Sequence, residues 1–271
     1  MNAHIVLNKR VGQTPLQCVE IYKQTHAELD GVPMAYAGRL DPMAEGKLLV
    51  LLGDECKVQE KYHSLDKEYE FEVLFGVQSD TADVLGLLET CSVPPLSSAN
   101  INAVIANMVG HVELPYPHFS SKTVQGKPLH VWKLEGKIDQ IQIPTKRSQI
   151  YKFSLSNVRT ATAQEVYVYA SEKIETIPTV TEESKALGND FRRIDVRKSW
   201  STFINDSKPE AKYFIASFTC IASSGTYMRT LAEVIAKELH TCGLAYSINR
   251  TKIGRYRKLP FGLGVWVKLY K

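Results

Sequence analysis

Apolar positions recur along the chain with two different periods. Tyr69, Phe71, Val73 and Phe75 alternate with Glu68, Glu70 and Glu72, which predicts a strand with one apolar and one wet face. Phe214, Ala216, Phe218 and Cys220 repeat the pattern, and the unbroken apolar run at residues 48–52, closed by Gly53, predicts a buried strand. Residues 5–7 read as a short strand. Residues 101–108 and 231–239 instead carry apolar side chains at helical spacing. Thr14-Pro15-Leu16-Gln17 has capping-box spacing with Pro at the first helical position, so a helix is expected from there to about Leu29, before Gly31-Val32-Pro33. Strands and helices are mixed without a regular βαβ alternation, which points to an α+β fold.

One stretch breaks the pattern. Residues 172–210 carry eight acids and seven bases with few branched apolar residues, and read as a polar insertion in a single catalytic domain spanning residues 1–271. Composition otherwise excludes more than it selects. At 44% hydrophobic and 23% charged the chain is ordinary for a globular protein, and no apolar run is long enough to cross a bilayer. The amino terminus has no basic region followed by an apolar stretch, so the cytoplasm is the expected compartment. Cys18, Cys56, Cys91, Cys220 and Cys242 are odd in number and widely spaced, which favours buried thiols over a disulfide framework. The histidines are scattered, and no metal site is expected. The net charge of +4 is small but uneven: residues 243–271 hold seven Lys or Arg and no acid.

The segment with most chemical content is Gly38-Arg39-Leu40-Asp41-Pro42-Met43-Ala44-Glu45-Gly46, just before the buried strand. Read locally it is a turn, since Asp before Pro favours an extended Asp and Gly46 allows a tight entry into the strand. It also resembles the G-x-L-D-P-x-A-x-G signature of the TruB family of pseudouridine synthases, in which the Asp is catalytic. Further segments resemble that family in its own order. These are Leu7-x-Lys9-x-x-Gly12, Leu52-Gly53-x-x-x-Lys57, Lys67-Glu68-Tyr69 and Gly76-x-x-Ser79-Asp80-Thr81-x-Asp83-x-x-Gly86. Near the end follow Ser224-Gly225-Thr226-Tyr227-Met228-Arg229-Thr230-Leu231 and Ile248-x-Arg250-x-x-x-Gly254-x-Tyr256. Four positions depart from the family pattern: Tyr36 replaces a usual His, Arg10 a usual Pro and Glu45 a usual Thr, and Leu114-Pro115-Tyr116-Pro117 follows Q-x-P-P only loosely.

The resemblance implies a pseudouridine synthase fold, a mixed, mainly antiparallel sheet flanked by helices. It implies Asp41 as catalytic carboxylate, Arg229 as its partner and Tyr69 against the target base. Lys9, Lys57 and Ile248 are further pocket candidates, with Tyr36 and Arg250 as substrate contacts. Arg229 also falls at a predicted helix start, where the macrodipole disfavours a cation and a nearby anion would explain it. Asp80 and Asp83 read as turn formers bonding backbone amides. Residues 120–137 resemble the loop with which the family grips RNA. Lys122, Lys127, Lys133 and Lys137 would meet phosphates there, and Phe119, His130 and Trp132 offer stacking surfaces.

The implied reaction converts uridine to pseudouridine, with uridine 55 in the T-loop of tRNA as target. It involves no redox change, so no cofactor is expected; the implied partner is RNA, a tRNA T-stem-loop, and the chain is expected to be a monomer. Two other readings use the same scaffold. One is a non-catalytic RNA-binding or RNA-folding protein, for which Tyr36 is the best sequence evidence. The other is a ribosomal-RNA pseudouridine synthase working with partners, a branch that normally adds a carboxy-terminal PUA domain for which residues 257–271 leave no room.

Overall fold

A computed structural model describes residues 3–177, 192–260 and 263–271. Its strands are β1 (His4–Lys9), β2 (Met34–Ala37), β3 (Glu45–Leu52), β4 (Asp66–Phe75), β5 (Val77–Ser79), β6 (Leu88–Thr90) and β7 (Gly110–Pro115). These are followed by β8 (Thr123–Val124), β9 (Lys127–Pro128), β10 (Thr145–Thr162), β11 (Lys212–Ala222), β12 (Gly243–Lys258) and β13 (Gly264–Tyr270). The helices are α1 (Pro15–Gln24), α2 (Glu60–His63), α3 (Ser98–Asn107), α4 (Leu129–Leu134), α5 (Ala163–Glu175), α6 (Arg193–Asp206) and α7 (Met228–Glu238).

Among the described residues, one sheet runs in the order β1-β3-β12-β4-β11-β10-β7, with β2 added to β3 and β13 to β12. Every pair is antiparallel except β3 with β12, which touch in parallel only at Glu45–Asn249 and Gly46–Arg250. The fold is therefore α+β with a mixed, mainly antiparallel sheet. The expected wet face of β4 is lined by ion pairs rather than water alone: Glu68 meets Lys252 at 2.9 Å and Glu72 meets Arg159 at 3.1 Å. On the other face Phe71 stacks on Phe218 with centroids 5.3 Å apart, and Leu231, Ile235, Ile101 and Val166 from three helices complete the core.

Local chemistry sets the helix ends. Thr14 caps α1, its Oγ accepting from Gln17 N at 3.1 Å while Gln17 Oε1 accepts from Thr14 N at 2.8 Å. The helix stops at Gln24, short of the expected Leu29, and a 3-10 turn covers Ala27–Leu29. Thr25 Oγ donates to the Tyr22 carbonyl at 3.0 Å and His26 Nδ1 lies 2.9 Å from the same oxygen, so side chains compete with the helical ladder.

Two expectations need correction. Residues 172–210 are not a uniformly polar insertion: 172–175 close α5, and α6 buries Val196, Trp200 and Phe203 in the main core, while residues 178–191 lie outside the described ones. The polar count misled because α6 shows the core one narrow stripe, at Val196, Trp200 and Phe203, and turns its charges outward. Two of the cysteines also fail the buried-thiol reading. Cys91 and Cys242 form a disulfide across 151 residues, where the segment after β6 meets the start of β12. Cys18 and Cys220 are buried thiols as expected.

Candidate active site

The loop carrying Asp41 joins β2 to β3 and is pinned on both sides of that residue. Leu40, Met43 and Ala44 enter the main core. Ala44 N donates to Asp41 O at 3.0 Å, and Gly12 N to Pro42 O at 2.9 Å. Gly46 has φ +106°, and any side chain there would run into the Arg250 backbone, so glycine lets β3 close onto β12. The Asp41 side chain is left 35% exposed on an otherwise fixed loop.

Arg229 reaches that carboxylate from the first turn of α7. Its Nε donates to Asp41 Oδ2 at 2.8 Å, Nη1 to Thr81 O at 2.8 Å and Nη2 to Phe119 O at 3.2 Å. A second carboxylate, Asp83 Oδ2, lies 3.8 Å from Nε. Arg229 is 4% exposed, and an unpaired guanidinium at that depth would cost several kcal/mol, so these partners are what permit it. Its fork ties three segments together: the Asp41 loop, the turn after β5 and the segment leading into β8. Among the described residues Asp41 Oδ1 accepts no hydrogen bond, which leaves one carboxylate oxygen for a substrate.

Asp83 corrects its reading as a turn former alone. It does accept from Leu85 N at 2.9 Å and from Thr81 Oγ1 at 2.7 Å, yet its other oxygen faces Arg229. Burial pushes its carboxyl pKa up, with the Arg229 cation opposing. Asp80 keeps the turn role by accepting from Leu87 N at 2.9 Å, and it also pairs with Arg192.

Tyr69 sits in the middle of the sheet, opposite Arg250 on β12 and Cys220 on β11. Burial raises its hydroxyl pKa, Arg250 opposes this and the negative charge of Asp41 adds to it, so the three groups share one neighbourhood. Ile248, next on the same face of β12, is buried opposite Phe71. Arg250 braces the Asp41 loop, donating to Lys47 O at 2.7 Å, Arg39 O at 3.2 Å and Gly38 O at 3.3 Å. Lys9 grips it from the other side through Arg10 O, Gln13 O and Pro42 O, and burial lowers its pKa to about 8 despite the nearby Cys18 and Asp41.

Other expected residues lie farther out. Tyr36 packs half-buried on the cluster of Leu7, Val19 and Val50 beside α1. Lys57 is not in the pocket: it is 81% exposed and pairs with Asp54 at 2.7 Å, because the 3-10 helix Gly53–Val58 turns it outward. Residues 120–137 form the β8–β9 hairpin and α4. Lys122 lies over the Tyr116 ring, and Lys127 pairs with Glu135 at 2.8 Å. His130 and Trp132 hold this loop from within, His130 Nδ1 lying 3.0 Å from Ser120 O and Trp132 Nε1 donating to Val124 O at 3.1 Å. Tyr227 was not singled out from sequence. Burial raises its pKa and Asp41 adds to the rise, so it borders the same carboxylate, edge-on to Tyr116. Its place directly before the helix that carries Arg229 was the available signal.

Fold and site together define an α+β protein with a partly exposed carboxylate held by a buried guanidinium at the rim of its sheet. The TruB family pseudouridylate synthase N-terminal domain matches residues 29–174, over half of the 271, and the chain belongs to that family. It is 27% identical over 254 residues to the tRNA pseudouridine synthase B of Caldicellulosiruptor saccharolyticus, covering 94% of this chain and 68% of that protein. The tRNA pseudouridine synthase B of Bordetella avium is 24% identical over 262 residues, covering 96% and 82%. Among solved structures, a chain in a Cbf5-Nop10-Gar1 complex has the same fold, with a TM-score of 0.54 at 15% identity over 93% of this chain. This chain spans 48% of that one, about half its length.

Proposed function

We propose that this chain isomerises uridine to pseudouridine in tRNA, with uridine 55 of the T-stem-loop as target and Asp41 as the reacting carboxylate. The observation that carries the reading is the Arg229–Asp41 bond, which aims a solvent-accessible carboxylate from a rigid loop. The reaction breaks the N1–C1′ bond of uridine, turns the uracil and joins C5 to C1′; C5 gives up a proton and N1 gains one. Atoms and electrons balance within the substrate. Asp41 serves by attacking the sugar or by assisting loss of a sugar proton, and either route needs one oxygen free while the other is held. Tyr69 offers a ring for the extruded base.

The uridine must leave its stack to reach Asp41, at about a few kcal/mol, and the aromatic and cationic rim of Tyr116, Lys122 and Tyr227 is placed to offset that cost. The test is pseudouridine mapping on T-stem-loop RNA treated with wild type and with Asp41→Asn. The variant keeps the shape of the side chain and removes the reactive carboxylate, so product should vanish while RNA affinity stays within about a few-fold. Product from the variant at the wild-type rate would overturn the assignment.

A further inference from the structure

Lys67, the second residue of β4, has only 3% of its surface exposed, yet no carboxylate bonds it among the described residues. Its Nζ donates to Leu65 O at 2.6 Å and Ser224 Oγ at 3.0 Å, both neutral acceptors. Arg250 stands next to it. A side chain at position 38 would come within 3.6 Å of Lys67 Cε and 3.7 Å of Arg250 Nη1, so both cations flank Gly38. A third cation arrives from β10, where the Lys146 ammonium is seated so close over Gly225 that any side chain there would collide with it. Gly225 adjoins Ser224, the acceptor of Lys67.

Three basic side chains thus gather between the loop that holds Asp41 and the turn that leads to Arg229. Lys67 is lowered to about 7 by burial first and by Arg250 next; Asp66 opposes this, and Lys146 adds a smaller lowering. Lys146 differs from the other lysines near the site. Lys127 has an acid partner, Lys9 is satisfied by carbonyls and Lys122 lies over the Tyr116 ring. Half-buried Lys146 donates to nothing among the described residues, and desolvation lowers its pKa. Clustered like charges that Asp66 offsets only in part oppose folding, and a bound anion would relieve them.

We infer that Lys146, backed by Lys67 and Arg250, forms an anion subsite that takes one phosphodiester of the RNA strand next to the target nucleotide. The inference rests on the RNA-modifying reading above and adds to it the place where the strand is held. A phosphodiester fits because the cluster flanks the Asp41 loop and the turn at Ser224 and Gly225, which leads to Tyr227 beside Tyr116 and Lys122, so a strand that delivers its base to Asp41 would carry a phosphate past it. A lysine, as a flexible point charge, suits such a tetrahedral anion. Gly225, at φ +78°, leaves the approach free of a side chain.

The experiment measures binding, not turnover, of a synthetic T-stem-loop RNA and of a set of the same RNA with one neutral methylphosphonate at each position around the target uridine. Lys146→Met should bind unmodified RNA about tenfold more weakly and lower the salt slope by about 0.7 to 0.9, one lost phosphate contact. Lys146→Arg, which keeps the charge, should recover most of the loss. One methylphosphonate position should weaken wild type about as much as the mutation does and cancel the difference between wild type and Lys146→Met. A penalty unchanged at every position, or no penalty on unmodified RNA, would overturn the subsite. Pseudouridine assays on the same RNA keep the two readings apart. Product formation with no position-specific coupling overturns the subsite alone, whereas position-specific coupling without product supports the subsite and overturns the reaction.

Discussion

Arg229 Nε and Asp41 Oδ2 meet at 2.8 Å across 188 residues of chain, and the same guanidinium lies 3.8 Å from Asp83. One buried cation therefore serves two carboxylates and two backbone carbonyls at once. Replacing it with Met leaves Asp83 buried without its cation and the carbonyls of Thr81 and Phe119 without their donor. Arg229→Met should cost about 3–5 kcal/mol of folding stability, read by urea denaturation, together with pseudouridine formation. Arg229→Lys keeps the charge but not the fork, and should regain stability more than activity. Equal stability of Met variant and wild type would show that the network carries no load.

Tyr69 separates two roles by a single atom. The proposed chemistry uses the ring to support the extruded base; if the hydroxyl also accepts a sugar proton, Tyr69→Phe should leave RNA affinity within a few-fold and lower single-turnover rates by about a hundredfold or more. Rates close to wild type would reduce Tyr69 to a stacking surface.

Lys67 makes stability depend on pH in a defined window. Its pKa is about 7 in the folded chain against 10.5 as the ordinary value. Between those limits the unfolded chain holds a proton that the folded chain has released, so stability rises with pH from about 7 to 10.5, and this gain is lost progressively as pH falls back to about 7. Lys67→Met should remove that slope. The wild-type minus variant difference should change by on the order of 3 kcal/mol between about pH 6.5 and about pH 9.5, from roughly 1.4 kcal/mol per pKa unit. Parallel stability curves would show Lys67 to be solvated.

Trp200 tests whether α6 belongs to the core. Its Nε1 donates to Val84 O at 2.9 Å, next to Asp83, and Ser199 Oγ accepts from Leu88 N at 2.8 Å, so α6 clamps the turn that faces Arg229. Trp200→Ala should cost about 3–5 kcal/mol by denaturation, and Trp200→Phe, which loses mainly the hydrogen bond, about 1–2 kcal/mol. A loss below about 0.5 kcal/mol in the Ala variant would return α6 to the status of a surface addition.

The periodic strands at residues 48–52, 69–75 and 214–220, the capping box at Thr14 and the helices expected over 101–108 and 231–239 were legible because each is written in neighbouring residues. Asp41 and Arg229 were legible as a pair only through motif resemblance, since nothing in either segment alone points to the other. Tertiary structure decided the rest. Asp83 became a partner of Arg229, Lys57 moved out to solvent, Trp200 went into the core, and Cys91 met Cys242 across 151 residues. Each of these depends on which distant segment arrives at a given face. Local periodicity records that a face is covered, but not by what, because burial is a property of one position while pairing belongs to two positions that only the folded chain brings together.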